Sequence, residues 1–258
     1  MAEAASGAGD VHRSLALMWG YADGTAPRGP RPKLALDDII ERAVALADAE
    51  GLDAVSMRRL AADLGVGTMS LYRYVPGKEE LLDLMLERVN GPGAESLPDD
   101  DWRAAMEAVG RGLWRLYTDH AWLPFVDQTR PLLGPRAFTA LETALAALAG
   151  TGLTGQQKVA VVSMLDTFAS AAARQHNSAL RAERESAVSN EEFWAAQEPV
   201  LTRAMETGSY PHLAGLPMDA FGMSGKEFME FGLRSMLDGV ERLVAAAADA
   251  APDRSETP

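Results

Sequence analysis

Apolar positions recur with a helical period from residue 34 onward. Within 36–50 they fall on one side, with Asp37 and Asp38 in the first turn and Gly51 after the last. This spacing is typical of an amphipathic helix; acidic residues suit its N-terminus and glycine its end. The apolar face consists of Ile39, Ile40, Ala43, Val44, Leu46 and Ala47.

Three shorter helices are predicted next. Apolar residues at i, i+3, i+4 and i+7 predict a helix over 56–64, with Ser56 as its N-cap. Residues 65–67 read Gly-Val-Gly and end it. A third helix is predicted over 68–74, and a fourth begins at Lys78, after a Pro-Gly pair.

The rest of the chain predicts a bundle of longer helices and no strand. These helices are expected at about 100–119, 135–149, 155–185, 190–207 and 225–248. Three of them begin with a capping box, in which a Ser or Thr is followed three residues later by Glu or Gln. The boxes are Thr154 with Gln157, Ser189 with Glu192, and Ser224 with Glu227.

The predicted fold class is therefore all-α, with a three-helix helix-turn-helix domain before a helical bundle. We expect the first domain over 34–80, the bundle over 81–248 and a flexible tail over 249–258. Residues 1–33 are rich in Ala, Gly, Ser and Pro and predict a largely flexible arm, although its Leu and Trp residues could dock.

Residues 56–81 contain the pattern that predicts a specific function. Two short helices joined by a tight glycine turn form a helix-turn-helix, whose second helix enters the DNA major groove. Gly65 can adopt the left-handed backbone that ends the first helix, and Val66 fills the space between the two. The residues expected at DNA are Thr68, Met69, Ser70, Tyr72, Arg73 and Tyr74 on the second helix, with Ser56 and Lys78 as phosphate contacts.

Charge first argues against DNA binding and then in favour of it. The whole chain has a net charge of −13, whereas phosphate binding needs cations. Residues 54–78, however, hold three arginines and one lysine against one aspartate, which leaves +3. A local basic surface is sufficient for a small DNA-binding unit. The arm residues Arg28, Arg31 and Lys33 could enter a minor groove or only keep the arm soluble.

Residues 36–86 resemble the DNA-binding module of the tetracycline-repressor (TetR) family of bacterial regulators. The resemblance is carried by the Leu-Gly-Val-Gly turn at 64–67, the Leu-Tyr-Arg-Tyr-Val run at 71–75 and the Lys-Glu-Glu-Leu start at 78–81. It adds Arg58 to the expected DNA contacts, and it leaves Met69 where some members carry proline. The remainder resembles the family's actinobacterial C-terminal domains less specifically.

The resemblance implies a cytoplasmic, homodimeric repressor on a pseudo-palindromic double-stranded operator, released by a small-molecule effector. The dimer contact would be a four-helix bundle from 155–185 and 225–248. The alternative is a helical ligand- or partner-binding protein without DNA binding. An alternative role for Tyr72, and more so for Tyr74, is packing within the small domain, and Arg58 could be a solvated charge.

An effector pocket in a helical bundle is apolar with a few polar groups, so its residues look like core. Asp166 stands out because it interrupts the apolar run 159–173. Its carboxylate could face a pocket, pair at the dimer contact or reach solvent. The candidate effector-binding residues are Trp114, Phe138, Met164, Asp166 and Phe168.

Other chemistry finds no support. The chain has no cysteine, and its four histidines are scattered outside any metal-ligand spacing. A G-x-G-x-x-G match at 150–155 follows a predicted helix rather than the strand that dinucleotide binding requires. We therefore expect no cofactor, no metal and no enzyme activity. No apolar run is long enough to span a membrane, so a soluble cytoplasmic protein is expected.

Overall fold

A computed structural model describes residues 4–21, 34–91, 97–98, 100–186, 188–217 and 219–249. Within these residues the chain is helical and forms no strand; a single isolated bridge pairs Ala5 with Asp127. The helices are α1 (Val11–Met18), α2 (Leu36–Glu50), α3 (Met57–Asp63), α4 (Thr68–Leu71), α5 (Lys78–Val89), α6 (Trp102–Asp119), α7 (Pro135–Ala147), α8 (Gly155–Ser186), α9 (Asn190–Ala195), α10 (Glu198–Glu206), α11 (Pro211–Ala214) and α12 (Gly225–Asp249).

Helices α2, α3 and α4 form the small N-terminal unit that the sequence predicts. All six apolar residues of the α2 face are buried. Leu60 of α3 and Leu71 of α4 are fully buried, and Val66 packs against the same core from the turn between them. Gly65 takes a φ of +66°, which confirms the left-handed end of α3.

Helices α6, α8 and α12 build the centre of the larger unit. Met106, Leu165 and Leu233, one from each helix, are fully buried. A side chain at Gly110 would collide with Leu233, because a Cβ there would lie 2.6 Å from its Cδ1. This glycine therefore sets how closely α6 approaches α12. All three predicted capping boxes form at their helix N-termini.

The helix expected over 190–207 is two helices, α9 and α10. Pro199 occupies the first turn of α10, where its missing N–H costs nothing. Inside one continuous helix the same proline would clash with the carbonyl of Ala195, the last residue of α9. The apolar pattern continues across this break and therefore predicts one helix. The third helix is also shorter than the predicted 68–74, because Tyr72–Tyr74 form a turn.

The N-terminal arm differs from the expectation over 4–21. Instead of a flexible leader, this segment forms α1 and lies against α5. Leu17 and Met18 pack against the core, and buried polar groups add contacts to α5, so the docking left open for the apolar residues of the arm does occur. The cationic arm residues Arg28, Arg31 and Lys33 lie outside the described residues, as does the tail from 250 onward.

Helix α5 links the two units. Its residues from Glu80 to Glu87 are buried without interruption, so both units cover it. The domain boundary expected between residues 80 and 81 therefore falls inside a helix that both units share. None of the helices in the described residues has an apolar stretch that could cross a lipid bilayer.

Gly65→Ala is expected to lower the free energy of unfolding by about 1–2 kcal/mol, since a left-handed residue with a Cβ is strained. A Cβ at this position would meet no atom within 4 Å, so the backbone alone decides the result. Gly112→Ala in α6 is the matched control, because it is equally open but helical. There, alanine should stabilise by about 0.5–1 kcal/mol. Urea titrations of both variants test this, and a shift of the same sign in both would contradict it.

Candidate DNA-binding surface and effector cleft

The DNA-binding surface is built on α3, the turn after it, and α4. The hydroxyl of Ser56 caps α3 by accepting from the backbone N–H of Arg59 at 3.2 Å. The N–H of Val66 closes the turn by donating to the carbonyl of Ala61 at 3.0 Å. These bonds fix the direction in which α4 leaves α3.

Not every cation of this surface is free to meet a phosphate. Arg59 donates to Glu50 at 2.9 Å and to Asp63 at 3.2 Å, and Arg42 donates to Asp63 at 2.7 Å. The hydrogen bond from Arg42, more than that from Arg59, holds the pKa of the Asp63 carboxyl below its ordinary value. This group of two arginines and two carboxylates neutralises itself.

Three cations of the segment 54–78 are left: Arg58 on α3, Arg73 after α4 and Lys78 at the start of α5. All three side chains are exposed, and none forms an ion pair among the described residues. The net +3 that the sequence indicates is thus carried by these residues, because the carboxylate of Asp63 is already occupied. Arg73 bonds only the hydroxyl of Ser70, at 3.5 Å.

The remaining predicted contacts divide by exposure. Met69 is 76% exposed and Tyr72 is 41% exposed, so both can reach a DNA groove. Thr68 and Ser70 are half-buried at the start of α4. Tyr74 is half-buried and packs against the core, which favours the packing role left open for it.

A cleft of about 430 Å³ opens between α6, α8 and the segment 125–129. Asp166 lies in it, with Tyr117 from α6 and Ser170 and Arg174 from α8. The other lining residues are Phe125, Val126, Asp127, Gln128, Thr129, Thr167 and Ala171. The lining is more polar than the apolar pocket that we expected.

The carboxylate of Asp166 is held by one strong hydrogen bond. The hydroxyl of Tyr117 donates to its Oδ1 at 2.7 Å. Burial raises the pKa of Asp166, and the bond from Tyr117 opposes that rise. Burial, the Asp166 charge and the same bond raise the pKa of the Tyr117 hydroxyl far above its ordinary value. Tyr117 therefore stays protonated and acts as a donor.

Arg174 supplies the positive charge of the cleft. Its guanidinium donates to the carbonyl of Pro124 and lies 5.5 Å from the ring centroid of Phe125. Asn177, one turn further along α8, donates to the carbonyl of Tyr117 at 2.9 Å. Segment 124–129 is thus tied to α8 at its start and lines the cleft along its length.

Of the five predicted effector residues, the structure brings only Asp166 into this cleft. The ring of Trp114 packs at a tilt against that of His176, and Phe168 contacts Phe228 of α12. Phe138 is half-exposed beside Trp19 of the N-terminal segment. Met164 is 38% exposed on α8.

Sequence reasoning missed Tyr117 and Arg174. Tyr117 reads as one more aromatic residue of α6, and Arg174 as an ordinary charge eight residues after Asp166. Eight residues make about 2.2 helical turns, so Asp166 and Arg174 lie on neighbouring parts of the α8 surface. That spacing was an available signal. Among the described residues, no group of His, Asp and Glu is arranged to hold a metal ion.

The two units also meet directly. Asp48 of α2 accepts a hydrogen bond from Nε1 of Trp122 at 2.7 Å, and Nδ1 of His120 lies 2.8 Å from the same oxygen. Both residues follow the end of α6 and precede the segment that lines the cleft. A residue of the DNA-binding unit is therefore bonded to the chain that leads into the cleft.

Family comparisons agree with this division of the chain. Residues 39–85 match the model of the bacterial regulatory proteins of the tetR family. Residues 95–244 match the tetracyclin repressor-like C-terminal domain, which covers more than half of the chain. The chain belongs to the TetR family. It is a DNA-binding transcriptional regulator, and its all-helical fold is that of the family.

Relatives of this TetR-family regulator include repressors. It is 49% identical over 243 residues, 93% of this chain and 89% of the relative, to the HTH-type transcriptional repressor DrrR1 of Streptomyces coeruleorubidus. It is 34% identical over 195 residues to an HTH-type transcriptional regulator of Saccharopolyspora erythraea, with 72% and 75% of the two chains covered.

Solved structures of the TetR-family protein ActR from Streptomyces coelicolor share this fold. The complex of ActR with (S)-DNPA aligns with a TM-score of 0.67 at 29% identity, over 85% of this chain and all of ActR. The complex of ActR with actinorhodin aligns with a TM-score of 0.58 at 27% identity, over 85% of this chain and 99% of ActR.

Tyr117→Phe is expected to raise the pKa of Asp166 further, because it removes the hydrogen bond that favours the ionised carboxylate. Carbon-13 NMR titration of the aspartate carboxyl groups measures this change. Thr167→Ala is the control, since Thr167 lines the same cleft and is not among the groups that shift Asp166. An unchanged or lowered Asp166 pKa in Tyr117→Phe would show that the bond does not form in solution.

Proposed function

We propose that this regulator represses transcription as a homodimer on a pseudo-palindromic operator and is released by a small molecule bound in the cleft at Asp166. The observation that carries the DNA half is the set of exposed, unpaired cations Arg58, Arg73 and Lys78 on a helix-turn-helix. Cations without carboxylate partners lose little on meeting a phosphate, whereas paired cations would first have to break an ion pair.

The division of labour within the chain follows the helices. Residues 34–80 bind DNA, and residues 81–248 bind the effector and the second protomer, with α5 shared between them. On the DNA side, Arg73 and Met69 reach base edges, while Ser56, Arg58, Ser70, Tyr72 and Lys78 contact the backbone. The half-buried Thr68 and Tyr74 orient α4. The protein acts in the cytoplasm, where its DNA target lies.

Dimerisation through α8 and α12 is supported by their length and by what they leave uncovered. They span 32 and 25 residues, and several large apolar side chains on them remain exposed. On α12, Phe228, Phe231 and Leu243 are 43%, 56% and 50% exposed. Large exposed apolar groups on two long helices favour a partner helix pair over water.

The effector half rests on the cleft. Asp166, Tyr117 and Arg174 offer an acceptor, a donor and a cation on one surface, which can orient a ligand that carries both kinds of polar group. ActR, which shares this fold, forms complexes with actinorhodin and with (S)-DNPA. Both compounds are suitable first probes for this cleft.

Arg73→Ala is expected to weaken operator binding by about 1–3 kcal/mol and to relax specificity at one position. Arg59→Ala is the matched control, because Arg59 lies on the same unit but is held by Glu50 and Asp63. The operator is first selected from genomic fragments with the purified protein, and affinities are then measured by fluorescence anisotropy. Equal losses in both variants would contradict the assignment, and failure to select any fragment would favour a protein that does not bind DNA.

Lys78→Ala should weaken operator and unrelated duplexes alike, because a lysine at a phosphate carries no sequence information. The slope of log affinity against log salt should fall by roughly one. Titrations at several salt concentrations on both duplexes measure it. A loss confined to the operator would place Lys78 at a base instead.

A further inference from the structure

The N-terminal segment 4–21 is ordered by contacts at both of its ends. At its start, the N–H of Asp127 donates to the carbonyl of Ala4 at 2.8 Å, and the N–H of Ser6 donates to the carbonyl of Asp127 at 2.9 Å. This is a one-residue parallel bridge between Ala5 and Asp127. Asp127 lines the effector cleft, so this end of the segment is bonded to the cleft rim.

The middle of the same segment is bonded to α5. Asp83 of α5 is completely buried, and its two oxygens accept from the N–H of Gly7 at 2.8 Å and from the hydroxyl of Ser14 at 2.7 Å. The N–H of Asp10 donates to Glu80, one turn earlier on α5, at 2.9 Å. Ser14 is itself completely buried.

The contact surface is shaped to admit these carboxylates. A Cβ at Gly9 would lie 2.5 Å from Oε1 of Glu80, so a larger residue there would force the Glu80 carboxylate to move from this position. Gly7 has a φ of +69°, which turns its N–H toward Asp83 in a backbone region that favours glycine. The segment therefore lies directly on Asp83 and supplies donors to both of its oxygens.

The far end of the segment rests on a third element. Nε1 of Trp19 donates to the carbonyl of Leu133 at 3.1 Å, and its ring packs edge-on against Phe138 of α7 at 5.7 Å. The segment thus spans from the cleft rim, across α5, to the start of α7.

We infer that residues 4–21 are a regulatory strap that couples the cleft rim at Asp127 to the linking helix α5. The inference rests on the proposed function and adds a physical route to it. A ligand that displaces the rim must either move Asp127 away from Ala5 or move the strap with it. A strap that moves carries the donors of Asp83 and Glu80, and therefore shifts the helix that supports Lys78 and the DNA-binding unit. The Asp48 contact with Trp122 is a second route, from the chain just before the rim segment to the DNA-binding unit.

The test uses a disulfide as a reporter of the rim contact in the full-length chain. Ala5→Cys and Asp127→Cys are introduced together; bridge partners lie close enough for a disulfide, and the chain contains no other cysteine. Formation of the intramolecular bond in glutathione disulfide buffer is followed on non-reducing gels. The strap predicts that the bond forms, and its failure to form would overturn the proposal.

Two further variants test whether the contact between residues 5 and 127 is coupled to the contacts of the strap with α5. Adding Ser14→Ala to the cysteine pair should slow bond formation at least about fivefold, since it removes the hydrogen bond to buried Asp83, nine residues along the strap from Ala5. Adding His12→Ala, an exposed change on the same helix, should leave the rate unchanged. Equal rates for the two variants would show that the strap does not act as one body.

Coupling to DNA binding is reciprocal, so the operator must alter the contact if the contact alters operator affinity. Saturating operator duplex is expected to change the equilibrium constant for bond formation at least about fivefold, measured at a fixed ratio of reduced to oxidised glutathione, whereas a scrambled duplex should not. Operator affinity of the reduced cysteine variant is measured in parallel. If the variant binds the operator and the equilibrium constant for bond formation is unaffected, the strap proposal alone fails; if no operator is bound, the proposed function fails.

Discussion

Helix α5 carries eight consecutive buried residues, from Glu80 to Glu87, and three of them are carboxylates. Buried carboxylates need hydrogen-bond donors, and in a helix that is buried on every side these donors come from the neighbouring segments of the chain. Asp83 and Glu80 find theirs in the N-terminal segment, and Glu87 accepts from the N–H of Arg136 at the start of α7 at 2.6 Å. Gly134 makes that last approach possible, because a Cβ there would lie 2.4 Å from Glu87. The position of α5, and with it the relation of the two units, depends on these polar contacts.

Local features of the DNA-binding unit could be predicted from the sequence because short-range physics determines them. The buried face of α2, the left-handed Gly65 and the cap at Ser56 each depend on residues within a few positions. The break at Pro199 also depends on local sequence and could have been predicted. Inside a helix, the ring of a proline clashes with the carbonyl four residues before it. The apolar period alone does not reveal this break, because it continues from α9 into α10.

Contacts between distant parts of the chain could not be predicted in this way. Ser14 and Asp83 are 69 residues apart, and Asp48 and Trp122 are 74 apart. Nothing in the local pattern distinguishes a serine that will donate to a buried aspartate from one that faces water. The same limit applies to the cleft at Asp166. Asp166 is noticeable in the sequence because it interrupts an apolar helix, whereas Trp114 and Phe168 have the same pattern as core residues and lie in aromatic contacts outside the cleft.

In an acidic protein that binds DNA, the positive potential has to be limited to the DNA-binding surface. Here two arginines of the DNA-binding unit are neutralised by nearby carboxylates. Arg42 and Arg59 are bound to carboxylates, so the positive potential of the helix-turn-helix comes mainly from the exposed cations Arg58, Arg73 and Lys78. The most direct measurement is the ratio of affinities for the selected operator and a scrambled duplex of equal length at physiological salt. A sequence-specific regulator predicts a ratio of at least about 10³. Equal affinities would contradict it.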